Sequence, residues 1–312
     1  MRAEMLYLAG KEKLEIKTVN LADPADGEVQ VQIKACGDCT GDIVIFGTCP
    51  APRTFGHEGV GVVVRTGPGI GFLKPGDKVF CLHGASQMGQ YANVPVQSAV
   101  RIPHDTEDYA QWVGEPVACV VNAIDQLHIT PGARAAIVGM GFMGLLNLQG
   151  MAHTLAGEIH VFDIMPERLA LAKCFGADAR HQTNKKDFGE KAEELSGGFD
   201  IVVDATGSAD GFALACRLTK TAGTLSLFGC HRGLRHFDGD DWHTKGLKVL
   251  NTAPSCDPHY FTRGPQAAVL MKKGVFDLQR LVTHVCSYHG AQALFETALY
   301  KNDGYIKGVV TF

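Results

Sequence analysis

Two groups of residues in this 312-residue chain have the types and spacing to do chemistry. The first is Gly139-Met140-Gly141-Phe142-Met143-Gly144, which closes a short apolar run at residues 135–139 and opens a helical pattern. In a GxGxxG turn the first glycine permits the tight bend. The second lets a diphosphate approach the backbone, and the third lets the helix pack close to the strand. The helix start presents free N–H groups and the positive end of its dipole to phosphates, so Phe142 and Met143 belong to the same cradle. A further apolar run at residues 158–162 ends in Asp163, about 20 residues on, where such a fingerprint places an acid. That carboxylate accepts hydrogen bonds from the adenosine ribose and repels a 2′-phosphate. Ile164 and Met165 follow it, with no cation to offset the repulsion. The expected ligand is NAD rather than NADP. Arg168, the nearest cation, is expected along the adenine or in solvent.

The second group is spread over three short segments: Cys36, Asp38, Cys39 and Asp42 in ACGDCTGD; His57 and Glu58 in FGHEG; and Glu115 before Pro116. One thiolate, one imidazole and one carboxylate leave an open fourth position on zinc, and such a centre can polarise an alcohol oxygen. Taken alone, the CxxC could equally be half of a structural zinc site, and a lone histidine is more often a surface or core residue than a ligand.

Different elements must position the two groups. In the first hundred residues, short alternating runs (29–33, 59–64 and 78–82) are separated by turn clusters such as Thr66-Gly67-Pro68-Gly69 and Lys74-Pro75-Gly76-Asp77, which predicts a compact, mostly antiparallel β domain. From about Trp112 helical runs alternate with short strands at 135–139, 159–163, 200–204, 224–229 and 248–252. That alternation predicts βαβ units and a parallel sheet, with crossover helices over 167–176 and 208–219. Thr206 and Phe228, at the ends of two of these strands, complete the candidate cofactor-binding residues. The last fifty residues are irregular and end in a strand at 308–312.

A net charge of −4 with 20% charged residues gives no basic surface for nucleic acid. No apolar run approaches the roughly 18 residues needed to span a bilayer, and the charged N-terminus has no signal-peptide core; a cytoplasmic protein is expected. Ten cysteines at uneven spacing are unlike a secreted disulfide framework. Cys119, Cys174, Cys216 and Cys286 lie in apolar stretches and are expected to be buried thiols.

With these residues in view, the chain resembles, nearly end to end, the zinc-dependent medium-chain dehydrogenases, the alcohol and sorbitol dehydrogenase group. ACGDCTGD is similar to that family's ACGxCG[ST]D, which makes Cys39 the ligand and leaves Cys36 out. The GHE motif matches His57 and Glu58, and Glu115-Pro116 matches the EP motif of the polyol branch. FLKPGDKVF matches the GDRV turn, PERLALAKCFGAD matches the helix after the glycine fingerprint, and LVTHVCSYHGAQALFETA resembles the polyol branch near its C-terminus. The resemblance implies an α/β protein: a GroES-like β domain (1–118 and 262–312) and a Rossmann doubly wound parallel sheet (119–261), with the active site in the cleft between them. It implies NAD and one catalytic Zn2+ per subunit, held by Cys39, His57 and Glu115. The metal lowers the pKa of a substrate hydroxyl before hydride passes to NAD. The implied substrate is a small alcohol or sugar, a secondary hydroxyl of a polyol, sugar or sugar acid. Lys307 is expected to point toward the cofactor diphosphate. A homo-oligomer, dimer or tetramer, is the expected assembly.

Two departures stand out. The family usually has Ser or Thr two residues after the zinc cysteine, where its hydroxyl relays the substrate proton; this chain has Gly41. Thr40, a water or Glu58 is left to take that role, with His83 a further candidate, and Glu58 could also coordinate zinc. The four-cysteine lobe that holds a second, structural zinc in many relatives is replaced by a direct crossing at residues 80–91. Two other readings compete: a zinc-free NAD(P)H quinone or enone reductase, and a non-catalytic NAD-binding relative.

Overall fold

The computed structural model describes residues 1–82, 84, 86–252, 257 and 259–312; His83 lies outside them. Among the described residues, the α-helices and strands are numbered in chain order. The chain divides into two compact units, Met1–Ala118 with Phe261–Phe312, and Cys119–Tyr260.

In the first unit, β1 (Arg2–Gly10) pairs with β2 (Lys13–Asn20) and β4 (Arg53–Thr54) in a three-stranded sheet. The larger sheet has the order β15 (Val282–Ser287), β16 (Lys307–Thr311), β3 (Glu28–Gly37), β5 (Glu58–Thr66), β6 (Lys78–Cys81) and β8 (Ala99–Arg101), while β7 (Tyr91–Pro95) pairs with β3 off that path. All pairs in it are antiparallel except β15 with β16. β3 departs from strict alternation: Val29–Val31 and Ala35–Gly37 are buried in unbroken runs, with half-buried Gln32 and Lys34 on either side of buried Ile33. Helix α1 (Thr40–Thr48) follows β3 directly and α9 (Ala291–Tyr300) precedes β16. Phe46 of α1 and Phe55 each lie with ring centroids 5.5 Å from Phe295 of α9, pairs worth about 0.5–1.5 kcal/mol each beyond their area burial. This cluster ties α1, and the residue that caps it, to the core.

The second unit is a six-stranded sheet in the order β11 (Ala179–Gln182), β10 (Glu158–Asp163), β9 (Arg134–Val138), β12 (Phe199–Asp204), β13 (Thr219–Leu227) and β14 (Lys248–Asn251). Every pairing is parallel. Counted within the unit, this is the 3-2-1-4-5-6 order of a doubly wound dinucleotide fold, whose ligand crevice opens at the carboxyl ends of the strands flanking the reversal, here β9 and β12. β9 and β12 are buried almost throughout, as strands covered on both faces must be. The crossover helices are α3 (Phe142–Met151), α4 (Pro166–Cys174), α5 (Phe188–Glu194), α6 (Ala209–Leu218) and α7 (Gly239–Lys245).

The described cysteines are all free thiols. Cys119 is buried and Cys216 and Cys286 are half-buried. Cys174 is exposed, contrary to its apolar setting in sequence, because it ends α4 on the side away from Leu169 and Ala172, the buried residues of that helix.

A histidine pair links β10 to β11. His160 Nε2 lies 2.7 Å from Glu158 Oε1, and His181 Nε2 lies 3.1 Å from His160 Nδ1. Burial, and then the neighbouring His160 and Lys191, hold the His181 pKa down to about 4 against the opposing pull of Glu194. The unfolded chain therefore binds a proton near pH 6.5 that the folded chain does not take up until about pH 4. Stability is complete above pH 6.5 and falls as pH drops through this window, by about 1–2 kcal/mol after allowance for solvent screening. Thermal melts at pH 7 and pH 4.5 should show a smaller acid loss in His181→Phe than in the parent; equal losses would remove His181 as the cause.

Candidate metal and dinucleotide sites

Three adjacent strands create the first site. Across the sheet Val309 of β16 faces Gly37 of β3, and Gly37 faces Glu58 of β5. Glu58 and Lys307 meet over the glycine: a Cβ on Gly37 would lie 2.8 Å from Val113 Cγ1, 3.0 Å from Lys307 Cε and in outright collision with Glu58 Oε2. The Lys307 ammonium pairs with Glu58 Oε2 at 2.6 Å and donates to the Asp38 carbonyl, also at 2.6 Å. Both side chains are nearly inaccessible.

The segment after β3 supplies the next groups. Cys39 is the N-cap of α1, its Sγ accepting from Gly41 N at 3.4 Å. Asp42, in the first turn, is buried and lies 3.7 Å from His57 Nδ1. His57 immediately precedes β5, and Glu115 is the first residue of α2 (Glu115–Leu127). Donor atoms of Cys39, His57 and Glu58 all lie within 4.8 Å of one another. Among the described residues Glu115 is not in that convergent group, yet its charge acts on His57. Burial opposes a charge on the imidazole, but hydrogen bonding to Cys39 and the charges of Glu115, Cys39 and Glu58 prevail and hold its pKa up at about 10. The setting is therefore acid-rich and calls for positive charge. A thiol, an imidazole and carboxylates converging in such a place fit zinc by ligand type and by electrostatics.

Sequence reasoning named Asp38 and Lys307 without joining them, and it passed over Tyr305. Asp38 is buried, and its Oδ1 accepts from Tyr305 Oη at 2.8 Å and from Gly308 N at 3.0 Å. Burial pushes its pKa up to about 7 against the pull of Lys307 and Tyr305. Burial disfavours a charged Lys307, but Glu58 and Asp38 outweigh it and keep the ammonium protonated. Lys307, expected toward a diphosphate, pairs with the Asp38 carbonyl and Glu58. A charged residue at the end of an apolar strand, as at Asp38 just after β3 or Lys307 at the start of β16, is the signal that marks such a cluster. Thr40 is exposed at the start of α1. Gly41 has room for a side chain, since an ideal Cβ there would sit 3.7 Å from Cys39 Sγ.

In the second unit, Gly139 has φ +95° and its N–H donates to Phe162 O at 2.7 Å. Gly144 packs so closely on this turn that a Cβ would collide with Gly139 O. Gly141 is the N-cap of α3 without a side-chain cap, so the first amides of the helix point into the turn. Asp163 Oδ2 accepts from Met140 N at 2.6 Å and Oδ1 from Met165 N at 2.8 Å. This fixes the carboxylate at the end of β10, and each oxygen keeps a second lone pair. The Arg168 guanidinium reaches the glycine turn itself, with Nη1 3.7 Å from an ideal Cβ on Gly141. Met143 is half-buried and Phe142 buried at the helix start. Thr206 packs its methyl over Gly139 and donates its hydroxyl to Asp204 Oδ1 at 2.6 Å. Phe228 is buried beyond β13, its N–H on Asp204 O. Asp204, fully buried with His231 Nε2 3.1 Å from its Oδ2, is a further organiser that the sequence reading did not single out.

Comparison with known proteins agrees with this architecture. Residues 25–104 match the alcohol dehydrogenase GroES-like domain and residues 142–262 the zinc-binding dehydrogenase domain. An uncharacterized zinc-type alcohol dehydrogenase-like protein of Escherichia coli is 26% identical, with 95% of each chain covered. L-galactonate-5-dehydrogenase of the same organism is also 26% identical, with 93% of each covered. Among solved structures, a candidate zinc-binding dehydrogenase from Sinorhizobium meliloti bound to NADP superposes with a TM-score of 0.87 at 22% identity, covering 100% of both chains. The chain belongs to the zinc-dependent medium-chain dehydrogenase family, a family of alcohol dehydrogenase-like oxidoreductases.

Proposed function

We propose that the protein is a zinc- and NAD-dependent dehydrogenase that oxidises a secondary hydroxyl of a polyol, sugar or sugar acid to a ketone. The observation that carries this reading is the convergence of Cys39, His57 and Glu58 within 4.8 Å in a chain whose other unit carries a dinucleotide turn. Cys39 and His57 would hold the metal. Glu115 would be the third ligand, because Glu58 is already engaged by Lys307. A zinc ion supplies Lewis-acid polarisation of an alcohol oxygen, and a nicotinamide accepts the hydride. The chain's own groups do the rest. Asp42 orients the His57 ring, a task that outer partners of ligating histidines commonly perform. Glu58 and the exposed Thr40 are the polar groups beside the ligands that can pass the hydroxyl proton outward. The amides at the start of α3 receive the diphosphate, and Asp163 receives the adenosine ribose. The polyol class is supported by the Glu115-Pro116 motif and by relatives such as L-galactonate-5-dehydrogenase.

The test is metal content together with cofactor choice. One equivalent of zinc per chain is expected by mass spectrometry of the metal. With a responsive polyol or sugar acid, kcat/KM for NAD should exceed that for NADP by at least ~100-fold, since the Asp163 carboxylate faces the 2′ position. Absence of zinc after metal-replete expression would overturn the mechanism, and equal use of NADP would overturn the assignment of Asp163.

A further inference from the structure

The buried groups behind Glu58 have a layout that an ion pair alone does not require. Lys307 is held from two sides, by Glu58 and by the carbonyl of Asp38. The Asp38 carboxylate adds a longer contact, 3.9 Å from the ammonium. Asp38 is itself clasped by the Tyr305 hydroxyl and the Gly308 amide. The chain gives up a side chain to admit it: a Cβ at Gly308 would lie 2.8 Å from Leu294 Cδ1 and would collide with Asp38 Oδ2. That second oxygen is buried without a hydrogen-bond partner, an arrangement that costs stability and calls for a function. Tyr305, Lys307 and Gly308, all at the start of β16 or just before it, thus serve one aspartate next to Cys39.

Glu58 has two competing destinations. Its carboxylate lies within ligand distance of the same space as Cys39 and His57, and it also pairs with Lys307. Cys39, His57 and Glu115 leave a fourth position for substrate, whereas adding Glu58 would close the centre into a four-ligand, structural type of site. We infer that Asp38 is a positioning residue for the metal centre: clamped by Tyr305 and Gly308, it fixes Lys307 so that the ammonium holds Glu58 off the metal and keeps the substrate position open. This rests on the metal reading above. Without Lys307, Glu58 would be a buried carboxylate with no countercharge, a costly state that coordination would relieve.

The test uses the full-length protein loaded with Co(II), whose visible bands report the ligands around it, and imidazole as the probe of the open position. The parent should bind Co(II) and show a saturable spectral shift with imidazole. Lys307→Met should weaken imidazole binding at least tenfold while holding the metal more tightly against a chelator. Asp38→Asn keeps the acceptor for Tyr305 and Gly308 but removes the carboxylate charge 3.9 Å from the ammonium, and Tyr305→Phe removes one hydroxyl; each should weaken imidazole binding several-fold with a melting temperature near the parent's. Removing Glu58 as well, in Lys307→Met with Glu58→Gln, should restore imidazole binding to within twofold, a rescue that a purely structural role for Lys307 would not give. Unchanged imidazole affinity in Lys307→Met and Asp38→Asn, or no rescue by Glu58→Gln, overturns the clamp. Failure of the parent to take up Co(II) overturns the metal reading itself and the clamp with it.

Discussion

Changing His57 to alanine should abolish bound zinc and lower turnover of the cognate alcohol by roughly 10^3- to 10^5-fold, the several kcal/mol that a Lewis-acid metal contributes to such a barrier. The imidazole is the only nitrogen donor in the convergent group. Without it, Cys39 stands among Asp42, Glu58 and Glu115 with no neutral donor between like charges. The loss should not arise from unfolding, since the His57 side chain is 34% exposed and lies outside the Phe46–Phe55–Phe295 cluster. Metal analysis, turnover and a thermal melt on the same preparation decide the matter. A folded His57→Ala protein that keeps both its zinc and its NAD-linked activity would sink the proposed centre.

A second large effect is expected at the glycine turn, where two substitutions of the same size should fail differently. Gly144→Ala places a methyl into the Gly139 carbonyl, an overlap with backbone that no rotamer relieves. α3 must move off β9, at a cost of about 3 kcal/mol or more, and dinucleotide affinity should fall with it. Gly141→Ala meets nothing closer than the Arg168 guanidinium at 3.7 Å, so the protein should melt near the parent temperature. Its NAD affinity should nevertheless drop by ~10-fold or more, because the new methyl occupies the surface a diphosphate approaches. Calorimetric melts and NAD titrations separate the two. Parent-like stability in Gly144→Ala, or parent-like NAD binding in Gly141→Ala, would contradict the assigned roles.

How far the sequence could be read depended on whether a local pattern had one physical cause. The β9-turn-α3-β10 unit was legible because apolar runs, glycine spacing and a terminal aspartate all belong to one local strand-turn-helix-strand pattern, and the parallel sheet followed from the alternation. α1 was not legible. Its residues TGDIVIFGT are rich in β-branched and aromatic types with low helix propensity. The helix is set by the Cys39 cap and by Phe46 packing on Phe295, and neither is visible locally. β11 is a short polar edge strand, ARHQ, with no alternation to betray it. At the metal site the donor types stood out in the motifs. The meeting of Glu58 with Cys39 and His57, and the pairing of Lys307 with Asp38, depend on the register of β16, β3 and β5, which pairs residues some 20 to 270 positions apart.

Helix α3 has a further consequence. From Gly144 to Met151 every residue is buried, and the segment includes Gly144, Asn147 and Gly150, poor helix formers with no solvent-facing stripe to steady a partly folded form. Such a segment is helical only while the sheet and its neighbouring helices enclose it. The glycine turn at the head of α3 therefore takes its shape from the finished domain, so a chain nicked within the sheet should lose the turn together with the core that encloses it.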